Sequence, residues 1–496
     1  MKRLFDRIDF FAKEHPQHLA LSDGARSVSY QELQREIRRV ASSITGERVG
    51  LLMENSCAWA IADLALQKNG AVCVPMPPFF SDSQLRHLIN NAGLDAIVTD
   101  QPLRIIKLMQ TPLSSELRVA GQKFDCFLLS PAEQLPLPPR TAKITYTSGT
   151  TGQAKGVCLT DEVIARVAVS LSEAVAAAGQ DRALTLLPLA TLLANIGGVY
   201  APLYSGSSAL LPDLADCGIT GSTGVNADLL IATLNHVQPS VTILVPHLLK
   251  VLVAAAERGA PVPNSLRFIA VGGAPISSAL LNQARALGLP VYQGYGLSEA
   301  ASVVSMSLPG QRHGDSAGRP LPHVAVRIAA DDEIMVAGNL FSGYLGQAPR
   351  SGNEWPTGDI GFLDDDGELH ITGRKKTSFA TAHGRKLAPE WIESELTGNP
   401  SIAQAILFGE GRSFNTAIIV PSSATAVPDI ADAVAAMNQT LPDYARVSRW
   451  IIAEEPFSIR NGLANGAGAL DRRAITAKYS PQIEKVYQGD APNAVL

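Results

Sequence analysis

Short apolar runs alternate with helix-like segments along most of this 496-residue chain. Such runs lie at residues 49–53, 96–99, 241–245 and 268–271. Continuous apolar runs of this length are typical of strands buried on both faces, as in parallel sheets whose strands are connected by helices. The alternation therefore predicts an α/β fold with mostly parallel sheets.

Local signals place helices and boundaries between these strands. Residues 29–32 form a capping-box pattern that predicts the start of a helix, and residues 278–287 predict another. Residues 131–139 contain four prolines and predict a linker. After residue 374 the pattern changes to that of a smaller α+β unit, in which Pro389 is expected to begin a helix.

The composition argues against several functional classes. Apolar residues make up 46% and charged residues 18% of the chain, so we expect a large core rather than disorder. The net charge is -5 without a basic stripe, so no nucleic-acid partner is expected. The five cysteines form no CxxC pair, which favours a reducing compartment. Because no apolar run reaches the roughly 18 residues that span a bilayer, we expect a cytoplasmic protein without a membrane span.

A loop rich in glycine and hydroxyl groups follows the short apolar segment 144–146. Glycines let backbone N–H groups approach a ligand closely, and Lys155 adds a positive charge. These groups suit a polyphosphate, although in the Walker A motif Gly and Lys are adjacent and here they are not. By itself, the pattern is also that of an ordinary surface loop. The loop reads Thr147-Ser148-Gly149-Thr150-Thr151-Gly152-Gln153-Ala154-Lys155-Gly156.

This loop resembles the signature of the adenylate-forming (ANL) superfamily, which includes acyl- and aryl-CoA synthetases, luciferases and the adenylation domains of peptide synthetases. Only Ala154 departs from the usual form, which has proline there. The resemblance covers nearly the whole chain, with further motifs in the family's order. It implies that Lys155 is catalytic and that the loop binds the β- and γ-phosphates of ATP. The ATP-binding residues implied here are Thr147, Ser148, Gly149, Thr150, Thr151, Gly152 and Lys155.

Two glycine-rich segments further along resemble the family's adenine site. Residues 294–299 combine an aromatic ring, a hydroxyl and a carboxylate, although such a segment alone is more often a turn with a packed tyrosine. The resemblance implies that Tyr295 lies against adenine and Ser298 near the α-phosphate. It also implies that Glu299 is catalytic and holds Mg²⁺, which prefers oxygen ligands. The residues it places beside adenine and the acyl pocket are Gly273, Ala274, Pro275 and Gly296.

The segments 357–359 and 373–374 resemble the family's ribose site. A carboxylate is a good acceptor for two ribose hydroxyls, and a nearby arginine can support the same sugar. The resemblance therefore implies that Asp359 and Arg374 bind the ribose of ATP.

The resemblance also implies a domain rotation. Lys376 falls where the family has its hinge residue, and Gly384 falls where the family's loop meets the pantetheine arm of the thiol substrate. We predict a large N-terminal domain of α/β subdomains at residues 1–374 and a small mobile α+β domain at residues 375–496.

The C-terminal lysine of the family's Asn-Gly-Lys-x-x-Arg motif is missing. Depending on the alignment, Ala469 or Ala467 occupies its position. Loss of a positive charge beside a reacting phosphoanhydride costs about 10²–10³-fold in rate. Three explanations stay open: an engineered substitution that traps a complex, another cation such as Lys478 or Lys485, and a chain specialised for the second half-reaction.

The sequence therefore predicts an acid–thiol ligase. A fatty or aryl carboxylic acid would react with Mg·ATP to give acyl-AMP and pyrophosphate, and the acyl group would pass to the thiol of CoA or of phosphopantetheine on an acyl or peptidyl carrier protein. The alternatives are an amide-forming or carrier-loading ligase and a pseudoenzyme that binds nucleotide or acyl-adenylate. Residues 195–198 (Asn-Ile-Gly-Gly) either leave room for an acyl chain or pack helices closely.

Overall fold

The computed structural model describes residues 1–110, 114–131, 133–147, 154–221, 224–311, 314, 316–383, 385–464 and 470–488. Within these residues the strands are, in chain order, β1 Leu19–Ser22, β2 Ser27–Ser29, β3 Arg48–Leu52, β4 Val72–Pro75, β5 Ala96–Thr99, β6 Ser114–Val119, β7 Gln122–Leu128, β8 Thr141–Thr147, β9 Lys155–Thr160, β10 Arg182–Thr185, β11 Ser208–Leu210, β12 Ile219–Thr220, β13 Gly224–Val225, β14 Val241–Leu244, β15 Phe268–Val271, β16 Val291–Tyr295, β17 Ser305–Met306, β18 Arg319–Pro320, β19 Val324–Ile328, β20 Glu333–Gly338, β21 Gly343–Tyr344, β22 Glu354–Leu363, β23 Leu369–Arg374, β24 Phe379–Ala380, β25 Lys386–Leu387, β26 Ile402–Phe408, β27 Asn415–Pro421 and β28 Val447–Ile452.

Helices connect most of these strands. Those in the described residues are α1 Lys2–Glu14, α2 Tyr30–Ala41, α3 Cys57–Asn69, α4 Asp82–Ala92, α5 Pro102–Met109, α6 Asp161–Ala174, α7 Leu192–Asn195, α8 Ala201–Ser205, α9 Ala227–Val237, α10 Pro246–Glu257, α11 Ser278–Ala286, α12 Pro389–Gly398, α13 Ile430–Thr440 and α14 Arg472–Gln488. A π-helical turn at Ile196–Tyr200 joins α7 to α8, and short 3-10 turns lie at Ser298–Ala300, Ala424–Asp429 and Asp443–Ala445.

Two large sheets form the first part of the chain. One has the order β18-β17-β16-β15-β14-β10-β11-β1-β2, and its six central strands from β16 to β1 run parallel. The other has the order β21-β9-β8-β4-β3-β5-β7-β6, with β8, β4, β3 and β5 parallel. One large apolar cluster packs between these layers and their helices.

Helix α2 shows how the local sequence specifies these elements. The Ser29 hydroxyl accepts the Glu32 N–H at 3.2 Å, and the Glu32 carboxylate accepts the Ser29 N–H at 2.9 Å, which completes the predicted capping box. Leu33, Ile37 and Val40 are buried at helical spacing, so one face of the helix lies in the core.

A smaller antiparallel sheet, β19-β20-β22-β23, follows the two large ones. Beyond it, β26, β27 and β28 form a three-stranded sheet that is buried on both faces. Residues Ala405 and Leu407 pack on the side of α12 and α13, while Ile406 packs on the side of α14. The alternation follows from the two-residue period of a strand.

Helix α12 is held against the first part of the chain by Lys250 of α10. The Lys250 ammonium donates to the carbonyls of Thr397, Asn399 and Ile402 at 2.6, 3.0 and 2.8 Å, at the C-terminal end of α12. A cation is favourable at the negative end of a helix dipole. Burial lowers the pKa of Lys250 to about 8.

These observations confirm the predicted α/β fold with a small α+β unit after the large sheets. The predicted helix starts at Tyr30 and Pro389 and the predicted strands at 96–99 and 268–271 are as expected. No helix in the described part of the chain is long and apolar enough to cross a membrane. The boundary between residues 374 and 375 stays a prediction.

Candidate active site

The predicted phosphate loop lies between the antiparallel strands β8 and β9. Thr147, the last residue of β8, and Lys155, the first residue of β9, are directly opposite each other. This pairing fixes the positions of both ends of the loop. The predicted loop residues between them, Ser148, Gly149, Thr150, Thr151 and Gly152, lie outside the described residues.

Tyr344 connects Lys155 to Glu299. The Lys155 ammonium lies 5.3 Å from the centre of the Tyr344 ring, within the range of a cation–π contact. The Tyr344 hydroxyl donates to Oε1 of Glu299 at 2.7 Å. Strand β21 positions Tyr344 by pairing with β9. Sequence reasoning missed Tyr344, because a two-residue strand far along the chain carries no signal of its own.

Glu299 is fixed through both its side chain and its backbone. Its Oε1 accepts from Tyr344, and the backbone carbonyl of Glu299 accepts the Phe341 N–H at 2.7 Å, which fixes the residue's position. Among the described residues no group of three or more His, Cys, Asp or Glu side chains could hold a metal ion. One carboxylate nevertheless fits Mg²⁺, which keeps several waters and takes other ligands from substrate phosphates.

Asp359 lies at the centre of a hydrogen-bonded group formed by β16, β22 and β23. The Tyr295 hydroxyl donates to its Oδ2 at 2.7 Å, and the Arg374 Nε lies 3.1 Å from its Oδ1. Asp359 and Arg374 are cross-strand partners. Asp359 is 6% exposed, and burial raises the pKa of its carboxyl, an effect that Arg374 and Tyr295 only partly offset. Burial also raises the pKa of Tyr295, so its hydroxyl stays a donor.

Glu333 holds the backbone beside Asp359. Its Oε1 accepts the Gly358 N–H at 2.9 Å, and its Oε2 accepts from the Lys375 ammonium at 2.7 Å. Gly358 has a φ of 75°, in the left-handed region that favours glycine. The predicted hinge residue Lys376 follows and is exposed. The chain is therefore anchored one residue before the position that the family resemblance assigns to the hinge.

A cavity of about 290 Å³ opens beside this group. Four of the predicted residues line it: Gly273, Tyr295, Gly296 and Ser298. The predicted Ala274 and Pro275 are exposed and are not among the lining residues. The structure therefore brings together the predicted segments at 272–273 and 294–298 at one opening.

Gly197 and Gly198 lie in the π-helical turn. Two roles were predicted for this segment, room for an acyl chain and close packing of helices, and the contacts of the two glycines bear on both. Gly197 lines the cavity opposite Ile243, whose Cδ1 would be 2.6 Å from an added Cβ. Gly198 packs against Thr185, where an added Cβ would overlap the hydroxyl. Both glycines therefore permit close packing, and Gly197 also forms part of the cavity wall.

The remaining predicted positions lie in the last part of the chain. Gly384, Ala467 and Ala469 lie outside the described residues. Of the two candidate replacement cations, Lys478 forms an ion pair with Glu455 at 2.7 Å, and Lys485 is exposed on α14.

Arg472 is the arginine of the C-terminal motif when Ala469 is aligned with its lysine. It donates to the Leu407 carbonyl at 2.7 Å and pairs with Glu393 of α12. Glu393 also accepts the Leu407 N–H at 2.7 Å. These contacts join α14 to α12 and β26, which indicates a structural role for Arg472.

Comparisons with known proteins agree with this arrangement. The pattern of the AMP-binding enzyme family matches residues 8–345, and that of the AMP-binding enzyme C-terminal domain matches residues 377–491. A long-chain-fatty-acid–CoA ligase, FadD15 of Mycobacterium bovis, is 26% identical over 94% of this chain and 93% of its own length.

Two solved structures share the fold. The anthranilate CoA ligase AuaEII in complex with anthranoyl-AMP has a TM-score of 0.78 at 17% identity and covers 96% of each chain. The o-succinylbenzoate coenzyme A synthetase MenE of Bacillus subtilis, in complex with ATP and a magnesium ion, has a TM-score of 0.73 at 22% identity and covers 95% of this chain and 98% of its own.

Proposed function

The chain belongs to the AMP-binding enzyme family, and we propose that it is an acid–thiol ligase that forms an acyl-AMP from a carboxylic acid and ATP. The observation that carries the proposal is the Tyr295–Asp359–Arg374 group, which lies at the opening of a largely apolar cavity. A nucleotide bound by this group and an acid bound in the cavity would meet at Ser298, where the cavity opens.

In the first step the acid's carboxylate attacks the α-phosphorus of ATP, and pyrophosphate leaves. Asp359 accepts the ribose hydroxyls, and Arg374 supports the same sugar. Lys155 contacts the β- and γ-phosphates, and Tyr295 lies against adenine. Mg²⁺, held by Glu299, would neutralise developing phosphate charge. Most of the rate gain comes from positioning and from charge stabilisation.

In the second step a thiol attacks the mixed anhydride, forming a thioester and releasing AMP. We propose that CoA supplies the thiol, because relatives that match nearly the whole chain, such as FadD15, are named CoA ligases. A domain at residues 375–496 would rotate about Lys376 and bring Gly384 toward the pantetheine arm. A phosphopantetheine on a carrier protein is the alternative acceptor.

The missing lysine makes the first step slow in this proposal. A protein that only binds acyl-adenylate is the second candidate function, and the alanines at positions 467 and 469 favour it. The two candidates differ in turnover: a ligase exchanges pyrophosphate into ATP in the presence of its acid, and a binding protein does not.

ATP–pyrophosphate exchange with a panel of carboxylic acids tests the proposal. We expect slow, acid-dependent exchange in the natural chain and exchange about 10²–10³-fold faster in Ala469→Lys. Ala467→Lys tests the other alignment of the motif, and a gain in that variant instead of Ala469→Lys would place the missing lysine at position 467. If none of the three proteins binds ATP or exchanges pyrophosphate with any acid, the ligase proposal is wrong.

A further inference from the structure

The cavity beside Tyr295 continues along one face of the nine-stranded sheet. Parallel pairing places Ala183, Val241 and Phe268 side by side and Ile243 beside Ala270. Since alternate residues of a strand point to the same face, the side chains that line the cavity form layers two residues apart. From the opening inward, these layers contain Gly272, then Ile243 and Ala270, then Ala183, Val241 and Phe268.

The cavity is long and narrow. Four residues of strand separate Gly272 from Phe268, which is about 13 Å at roughly 3.3 Å per residue. Gly197 lies on the opposite wall and packs closely against Ile243 of the middle layer. A volume of about 290 Å³ spread over this length leaves space for a slender ligand rather than a broad one.

Asp181 lies at the inner end of the cavity, where its carboxylate is fully bonded by the protein. Asp181 accepts from Arg267 Nε at 2.8 Å and Nη2 at 2.6 Å, from the Ser240 hydroxyl at 2.7 Å and from the Ala178 N–H at 2.9 Å. Arg267 also donates to the Val175 carbonyl at 2.8 Å. Because the loop after α6 is tied to β15 in this way, a longer ligand would have to break an ion pair. We call Asp181, Arg267 and the loop that they hold the floor.

Apart from the Ser172 hydroxyl, which also lines the cavity, the inner end offers little to a polar ligand group. Among the described residues that line the cavity, Asp181 is the only charged one, and all its acceptors face protein donors. The Ser207 hydroxyl donates to the Ala178 carbonyl at 2.9 Å, and the Thr191 hydroxyl donates to the Pro188 carbonyl at 2.7 Å. A polar group buried against such partners loses its bonds to water without replacement.

We propose that the acid is an unbranched monocarboxylic acid of about eight to ten carbons whose methyl end stops at the Asp181–Arg267 floor. The length follows from the depth of the cavity, since about 13 Å accommodates about ten carbons of an extended chain at roughly 1.25 Å per carbon. This inference rests on the proposed ligase activity. It selects the fatty rather than the aryl class of acids and adds a limit on chain length.

The test is an acid panel assayed by AMP release in the presence of CoA. The panel contains linear acids from four to sixteen carbons, benzoate, decanedioate and 10-hydroxydecanoate. We expect kcat/KM to peak at about eight to ten carbons. Decanedioate and the hydroxy acid should be at least about tenfold poorer than decanoate, because their inner ends lack partners. A peak at sixteen carbons, or better use of benzoate or decanedioate, would overturn the chain-length assignment and leave the ligase activity standing.

Two variants test which residues limit the length of the acyl chain. Ala183→Leu fills the inner layer and should shorten the best chain by about three carbons, the number of carbons added. Val175→Ala removes two methyl groups beside the floor and should lengthen the best acyl chain by about two carbons. Ala436→Leu, exposed on α13, is the matched control and should leave the profile unchanged. An unchanged profile in Val175→Ala, measured on protein whose circular dichroism spectrum matches that of the parent chain, contradicts the floor as the stop. If no acid gives AMP in the natural chain or in Ala469→Lys, the ligase proposal fails together with this inference.

Discussion

Two buried aspartate–arginine pairs lie at opposite ends of the cavity, and they differ in how completely the carboxylate is bonded. Asp359 and Asp181 are 6% and 5% exposed. Asp359 has one contact from Arg374, whose side chain is 58% exposed, and one from Tyr295. Asp181 has two contacts from Arg267 and two more from Ser240 and Ala178. The first carboxylate can still accept ligand donors, whereas the second is occupied by the protein.

The pKa shifts of the two carboxyls have opposite directions. Burial raises the pKa of Asp359, and its few donors do not compensate. Burial also acts on Asp181, but the hydrogen bonds of Arg267, Ser240 and Ala178 outweigh it and lower the pKa. A raised pKa means that ionised Asp359 costs folding free energy at neutral pH, whereas ionised Asp181 contributes folding free energy. Unsatisfied buried charge of the first kind is typical of sites that bind a ligand.

The largest expected effect is on nucleotide affinity. Asp359→Asn removes the charged acceptor of two ribose hydroxyls and should weaken AMP binding about 100-fold, since hydrogen bonds to charged groups contribute about 1.5–3 kcal/mol each. Isothermal titration calorimetry with AMP measures the change. Asp181→Asn is the matched control and should change the affinity less than about threefold. Equal losses in the two variants would show that the pairs do not differ in function.

The same two variants should also differ in stability. Here the larger loss is expected in Asp181→Asn, whereas the larger loss of AMP affinity is expected in Asp359→Asn. Asp181→Asn turns an amide N–H donor toward the N–H donors of Arg267 or Ala178 and should lower the free energy of unfolding by about 2 kcal/mol, less than for a fully buried pair because Arg267 is partly exposed. Asp359→Asn should leave the ligand-free protein as stable or slightly more stable. Urea unfolding at pH 7 measures both. A larger loss in Asp359→Asn than in Asp181→Asn contradicts the comparison.

The smallest expected effect is in the pH dependence of the pairs. AMP affinity should begin to fall at a pH above 4 as acid is added, because Asp359 protonates above the ordinary aspartate pKa of about 3.9. The stability difference between the natural chain and Asp181→Asn should persist at that pH and disappear only as the pH falls below about 4, through the lowered pKa of Asp181. Simultaneous loss of affinity and of the stability difference at one pH would mean that the two carboxyls have similar pKa values.

The same two regions differ in how far sequence could predict them. Tyr295, Asp359 and Arg374 lie in motifs with glycine at defined spacing, so their proximity followed from the family resemblance. The alternation of apolar runs also predicted the sheets, because parallel strands that are buried on both faces consist almost entirely of apolar residues. These are regions where a local pattern carries the three-dimensional information.

The inner end of the cavity has no such pattern. Ala183, Ile243 and Ala270 are ordinary residues of buried strands, and only the pairing register shows that they share one face. Asp181 and Arg267 are 86 residues apart, and nothing in either segment marks the other as a partner. Register and long-range ion pairs depend on tertiary packing, which a single sequence does not display.

The most direct test of the proposed function is the stoichiometry of the full reaction. The natural chain and Ala469→Lys are incubated with Mg·ATP, CoA and each acid of the panel, and AMP and acyl-CoA are quantified by mass spectrometry. We predict equal amounts of AMP and acyl-CoA, with the highest yield from linear acids of about eight to ten carbons and a faster reaction in Ala469→Lys. The account is contradicted if both proteins bind AMP but yield no acyl-CoA, either from ATP or from supplied decanoyl-AMP and CoA.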